Sequence, residues 1–141
     1  MIRISSKVDY ALRAMLELAL EYGQKASSIQ GIARRQGIPK RFLEHLLLNL
    51  KQAGLVVSFR GNVGGYTLAK LPRKIKVGDI IRATEGSLDM APKGRRGTRT
   101  DVVGEVWNAL QDAAGNVLDS LSLEDLANKQ KRGERILTYN I

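Results

Sequence analysis

None of the 141 residues is cysteine, and only one, His45, is histidine. The first absence excludes a disulfide framework, a thiolate-held metal and control through oxidation of a thiol. The second leaves His45 with no imidazole or thiolate with which to share zinc or iron, so no metal and no cofactor are expected. Serine, histidine and acid in a nucleophile-elbow context are also missing. Glu17, Glu21, Glu44 and Asp79 read as acids scattered over helix surfaces, and no enzyme is expected. Long apolar runs are absent too: the stretch 11–20 is broken by Arg13 and Glu17, and nothing approaches the ~20 apolar residues of a membrane span. These absences describe a soluble, cytoplasmic chain. Acids are in short supply, with 14 Asp+Glu against 23 Lys+Arg. Through Ile80 there are 14 basic and 5 acidic residues, and from Ile81 onward 9 and 9, so the whole net charge of +9 belongs to the first 80 residues. Charge of that size and sign on one half of a small protein fits a polyanion, because each neutralised phosphate releases condensed counterion.

What is present follows helical periods. Ser5-Ser6 open a helix with Val8, Ala11, Leu12, Met15, Leu18, Ala19 and Tyr22 on one face, ending at Gly23. Ser27-Ser28 open a shorter one that closes at Gly37, with Ile29, Ile32 and Ala33 inside. Pro39 then suits the first turn of a third helix over 40–53. Leu43, Leu46, Leu47 and Leu50 form its buried stripe, leaving Lys40, Arg41, Glu44, His45, Leu48, Lys51 and Gln52 outside as candidate readers of a partner. The segment GLVVSFRGNVGGYTLAK, 54–70, follows directly. Two apolar runs flank Arg60-Gly61-Asn62-Val63-Gly64-Gly65, a glycine-released reversal that makes a β-hairpin with a cation at its tip. A helix pair with a basic hairpin beside it is the geometry by which a winged helix addresses duplex DNA. Gly64-Gly65 does not suit a phosphate-cradling nucleotide loop, since the pair leads into a strand rather than a helix.

A connector from Leu71-Pro72 leads to a short helix over 77–85, stopped by Gly86. The loop APKGRRGTRT, 91–100, carries Lys93, Arg95, Arg96 and Arg99 and no large apolar residue, so it reads as solvated, with a grip on phosphate or an anionic effector as the alternative. Beyond it Val103, Val106, Trp107, Leu110, Ala113, Ala114, Val117, Leu118 and Leu121 keep helical period for about five turns, more apolar surface than one helix on a small domain hides. A partner helix is implied, with Trp107 as an interface anchor. Ser122 and Asp125 signal a brief last helix to Lys129, and the tail 136–141 is apolar. The expected fold is mainly α with a small β-hairpin wing. Residues 1–88 form a winged helix-turn-helix domain, 89–100 a basic flexible loop, and 101–141 a dimerisation helix and tail.

The segments ISSKVDYALRAMLELA, IARRQGIPKRFLEHLLLNLKQAGLV, SFRGNVGGYTLAK and KVGDIIRATEG resemble the IscR, NsrR and CymR family of bacterial winged-helix repressors over residues 1–88, with LEDLA matching near the end. The RG-x-x-GGY-x-L wing is the most specific element. The resemblance implies a homodimer, locked through the long helix by Val103, Val106, Trp107, Leu110, Ala114, Val117 and Leu121, on an imperfect palindrome of double-stranded DNA. Arg41, Phe42, Glu44 and His45 then face the major groove, with Lys40 beside them as a further candidate contact. Arg60 and Gly61, with Asn62 and Tyr66 in the same wing motif, face the minor groove, and Ser28 touches phosphate. Many members hold an iron-sulfur cluster on three cysteines in the loop that here reads APKGRRGTRT. The resemblance is therefore to the cluster-free branch, controlled by a small molecule or a partner protein. A winged-helix module that binds RNA or docks a protein is the rival reading.

Overall fold

The structure is a computed structural model that describes residues 3–61, 64–86 and 101–133. Asn62, the cations of the 91–100 loop and the tail 136–141 lie outside the described residues. The order is α1 (Ser6–Leu20), α2 (Ile29–Gln36), α3 (Lys40–Gln52), β1 (Val56–Phe59), β2 (Gly65–Leu68), a 3-10 turn at Pro72–Lys74, α4 (Val77–Glu85), α5 (Val102–Ser120) and α6 (Leu123–Arg132).

Local chemistry sets most of these boundaries. The Ser5 hydroxyl accepts the Val8 amide at 3.2 Å and the Ser28 hydroxyl the Gly31 amide at 3.0 Å, each satisfying one of the orphan donors at a helix start. Gly37 closes α2 at φ 65°, a left-handed conformation in which a side chain is strained. Pro39 is the cap of α3, one place before its first turn. Helix α1 ends at Leu20, three residues short of Gly23, which turns the chain at φ 84°.

The four leucines of α3 are buried as the period requires, and they share a core with Met15 and Leu18 of α1, Ile32 of α2, Ile75 and Ile80. One acid on α1 departs from expectation. Glu17 is not on the surface but buried, and it accepts from Arg35 Nε at 2.9 Å and Gln36 Nε2 at 2.7 Å. It lies on the same face as Ala14 and Leu18, where apolar periodicity cannot reveal an acid whose partners come from another helix. The ion pair fixes α2 to α1, because a buried carboxylate left without donors carries a full desolvation cost.

The two helices of the C-terminal third pack differently. Helix α6 returns to the first core: Leu123 is fully buried, Ala127 nearly so, and both belong to the α1–α3 cluster. A short bridge between Lys76 and Ser122 holds it there, with the Val77 amide donating to the Leu121 carbonyl and the Leu123 amide to the Ile75 carbonyl, both at 2.9 Å. Ser122 and Asp125 form the expected capping box, and α6 runs to Arg132 rather than Lys129 before Gly133 ends it. Among the described elements only α5 is left as an arm. Its C-terminal end is clamped to α4, where the Arg82 guanidinium bonds the Asp119 carboxylate and also faces Asp79. The Asp119 hydrogen bond raises the Arg82 pKa further, against the desolvation of its site. Gly78 permits this approach, since a Cβ there would collide with the Asp119 side chain.

Truncating Leu123 tests the return of α6. Leu123→Ala is expected to destabilise the whole helix-wing unit by about 2 to 5 kcal/mol, read as a lower midpoint in urea denaturation. An unchanged midpoint would mean that α6 is not part of the core.

Candidate nucleic-acid interface

The burial of Leu43, Leu46, Leu47 and Leu50 turns the opposite face of α3 to solvent over 13 residues, about 20 Å at the rise of an α-helix. Lys40, Arg41, Glu44, His45 and Leu48 are exposed along it. The hairpin stands beside this face as an antiparallel pair, Val56 opposite Leu68 and Phe59 opposite Gly65. Lys51 on α3 donates to the Ser58 hydroxyl on β1 at 2.8 Å and ties the two together.

A second tie explains the paired glycines. Tyr66 and Ser27 exchange both backbone hydrogen bonds, at 2.8 and 2.9 Å, so the residue before the Ser28 cap acts as a third strand of one residue. At Gly65, φ 153°, a Cβ would collide with the Ser27 carbonyl, and at Gly64 it would lie 2.8 Å from the Phe59 carbonyl and 2.9 Å from that of Gly61. Both neighbours are backbone and cannot swing aside. The GGY of the wing is thus required for the hairpin to seat against the start of α2.

These ties enclose an open cleft of about 510 Å³ between the α2 cap, α3 and the wing. Of the proposed contact residues, Ser28, Lys40, Glu44, Arg60, Gly61 and Tyr66 line it together. Arg41 and His45 are exposed on α3 outside its lining. Phe42 also lies outside; its ring meets Tyr10 of α1 edge to face, centroids 5.6 Å apart at 80°, and is 38 % exposed. Lys51, one of the outward candidates on α3, joins the lining, as do Gln30, Ser58 and Phe59, which the sequence did not single out. Gln30 stands two residues beyond the Ser28 cap and Phe59 next to Arg60, so proximity to recognised positions was the available signal. The cleft offers long cations, amide and hydroxyl donors and one carboxylate on a rigid frame. That set suits phosphate oxygens and base edges.

On α5, Val103, Val106, Leu110 and Val117 are exposed, while Trp107 and Ala114 are half-buried. Leu121 is the cap residue after α5 and packs inward with Leu118 against Val8, Val77 and Ile81. The upper part of the apolar stripe is therefore free and its lower end serves the chain's own fold.

A family model described as Rrf2, iron-dependent transcriptional regulator, matches residues 4–129. The chain belongs to the Rrf2 family. It is 40 % identical over 126 residues to the HTH-type transcriptional regulator CymR of Bacillus subtilis, covering 89 % of this chain and 90 % of that one. It is 38 % identical over 133 residues to the regulator IscR of Photorhabdus laumondii, covering 92 % and 81 %. Among solved structures, CymR, the global cysteine regulator of B. subtilis, superposes with a TM-score of 0.80 at 41 % identity, covering 91 % of this chain and 98 % of that one. IscR of T. potens superposes at 0.80 with 36 % identity, covering 98 % and 95 %. The protein is accordingly a helix-turn-helix transcriptional regulator, with DNA as its partner, and not an enzyme. The family description refers to iron. These 141 residues include no cysteine, so they do not fit a thiolate-ligated cluster. No described helix is long and apolar enough to cross a membrane.

Gly65→Ala isolates the wing seat. It is expected to weaken binding to a specific duplex by at least tenfold in fluorescence anisotropy, with helical circular dichroism unchanged, the added strain being about 1 to 3 kcal/mol. Native affinity in this variant would show that the seat is not needed.

Proposed function

We propose that the protein is a repressor that binds an imperfect palindromic operator as a homodimer in the cytoplasm, without an iron-sulfur cluster. The observation that carries this reading is the cleft in which the Ser28 cap, Lys40 and Glu44 of α3 and Arg60 of the wing converge. In this reading α3 enters the major groove, with Lys40, Arg41, Glu44 and His45 toward base edges and phosphates. Glu44 accepts from a cytosine amino group, and Phe42 lends apolar contact from its perch on Tyr10. Arg60, with Gly61 and Tyr66 of the same wing, reaches the adjacent minor groove, whose negative potential favours a guanidinium, and Asn62 is proposed as a further contact. Ser28 meets the backbone between them.

Dimerisation is supported by the free apolar stripe of α5, where Val103, Val106 and Val117 are each more than half exposed. Pairing two such arms, with Trp107, Leu110 and Ala114 along the seam and Leu121 at its base, removes that surface from water. It sets two α3 helices about 34 Å apart, one turn of DNA, or more where the wings splay. In functional terms residues 1–88 read DNA, the 89–100 loop links, and 101–141 joins subunits while α6 anchors the arm. With no thiolate present, control falls to a small molecule or a partner protein that tilts one reading head against the other. A coupling of about 1 to 3 kcal/mol changes occupancy roughly 5- to 150-fold.

Two measurements test this. Arg60→Ala is expected to cost about 1 to 3 kcal/mol on a genomic fragment captured by the protein, with selectivity over random duplex reduced. Equal affinity for captured and random duplex in the native protein, or preference for structured RNA, would remove the reading. Val106→Glu is expected to shift sedimentation toward the 15.5 kDa monomer and to weaken operator binding. A native protein that sediments as a monomer would remove the dimer.

A further inference from the structure

A second groove, about 470 Å³, lies on the other side of the Ser27–Tyr66 bridge from the reading cleft. Its charged lining is three cations, Lys25, Arg34 and Arg35, against one acid, Glu21. Ser28 and Gly64 line both grooves, so the two share one rim.

Arg35 is the fixed member. Its Nε is held by the buried Glu17 carboxylate at 2.9 Å, and its guanidinium lies across Gly31, where a Cβ would come within 3.0 Å of both Arg35 Nη1 and the Ser28 hydroxyl. A hydrogen at position 31 thus leaves room for the guanidinium to lie close beside the α2 cap. An arginine anchored at Nε keeps its two terminal nitrogens for another acceptor and has already lost much of its rotamer freedom. Lys25 and Arg34 are exposed beside it. The lining has no aromatic side chain, and Ala26 is its one apolar side chain. Pockets for small organic effectors are mostly apolar and enclosing; this one is polar, cationic and continuous with the reading cleft.

We propose that this groove seats the DNA backbone beyond the reading cleft, Lys25, Arg34 and Arg35 contacting phosphates outside the bases that α3 reads. The inference rests on the reading of the α3–wing cleft as the DNA-reading site. Such contacts fix position and supply affinity without sequence information, and each one adds about 0.9 to the slope of log affinity against log salt.

The test compares the salt dependence of binding to a captured genomic fragment and to random duplex. The full chain is used as native protein, as Lys25→Ala/Arg34→Ala, as Arg60→Ala, and as Arg73→Ala/Lys74→Ala, whose residues line neither groove. Arg35 is left intact because Glu17 depends on it, and thermal melting checks that each variant is folded. Lys25→Ala/Arg34→Ala is expected to weaken both duplexes by a similar factor, roughly tenfold, and to flatten the slope by about 0.9 for each phosphate lost. The control should change the slope far less. A slope in Lys25→Ala/Arg34→Ala no flatter than in the control overturns the proposal, and an Arg60→Ala that still loses affinity then leaves the reading cleft standing. If Arg60→Ala also binds as the native protein does, the cleft reading fails and this inference with it. Calorimetric titration with inorganic pyrophosphate distinguishes a free anion: binding that Lys25→Ala/Arg34→Ala abolishes, with DNA affinity unaltered, overturns the proposal.

Discussion

Two backbone hydrogen bonds between Ser27 and Tyr66 join the wing to the residue that precedes α2. Without them the hairpin would be a two-stranded ribbon of four residues a side, marginal in water by itself. With them Arg60 is held at a defined distance from the Ser28 cap and from α3, and one frame carries all three parts of the candidate interface. The frame depends on the absence of a Cβ at Gly65, because the Ser27 carbonyl occupies the space a side chain would need. A backbone contact of this kind is stiff, and stiffness is what a reading surface needs if its long cations are to meet phosphates without a large ordering cost.

The same economy governs the charges. The basic excess lies on the first 80 residues, yet its placement owes much to a few acids. Glu17 holds Arg35 and Gln36 from within the α1–α2 contact, and Asp119 holds Arg82 where α5 meets α4. One acid fixes a guanidinium beside the α2 cap and the other fixes the root of the arm. Between them, α6 and the Lys76–Ser122 bridge lock the base of α5 into the helix-wing core. Any tilt of the arm is therefore felt by the body that carries α3, which gives the proposed control step a mechanical path.

Much of this was legible in the chain. Serine caps, the leucine stripe of α3 and the glycine stops gave six helices in the right order, and the family was recognisable from the wing motif. Periodicity works where a residue's fate follows from its neighbours one turn away. It fails for Glu17, whose partners lie 18 and 19 residues downstream, and for α6, whose amphipathic pattern does not say which surface it covers. It could not distinguish Leu118 and Leu121, which pack inward, from Val106 and Val117, which stay exposed on the same helical run.

The sequence by itself determined the element types, the cationic half, the need for glycine at the wing and the lack of thiolate ligands, because these follow from local backbone preferences and from composition. Only the tertiary structure decided that Gly65 passes against Ser27, that Ser28, Lys40, Glu44 and Arg60 share one cleft, and that Lys25, Arg34 and Arg35 share another. The first two of those facts are distances between residues far apart in the chain, set by how whole helices and the wing pack, and the third depends on how α1 and the wing close around the start of α2.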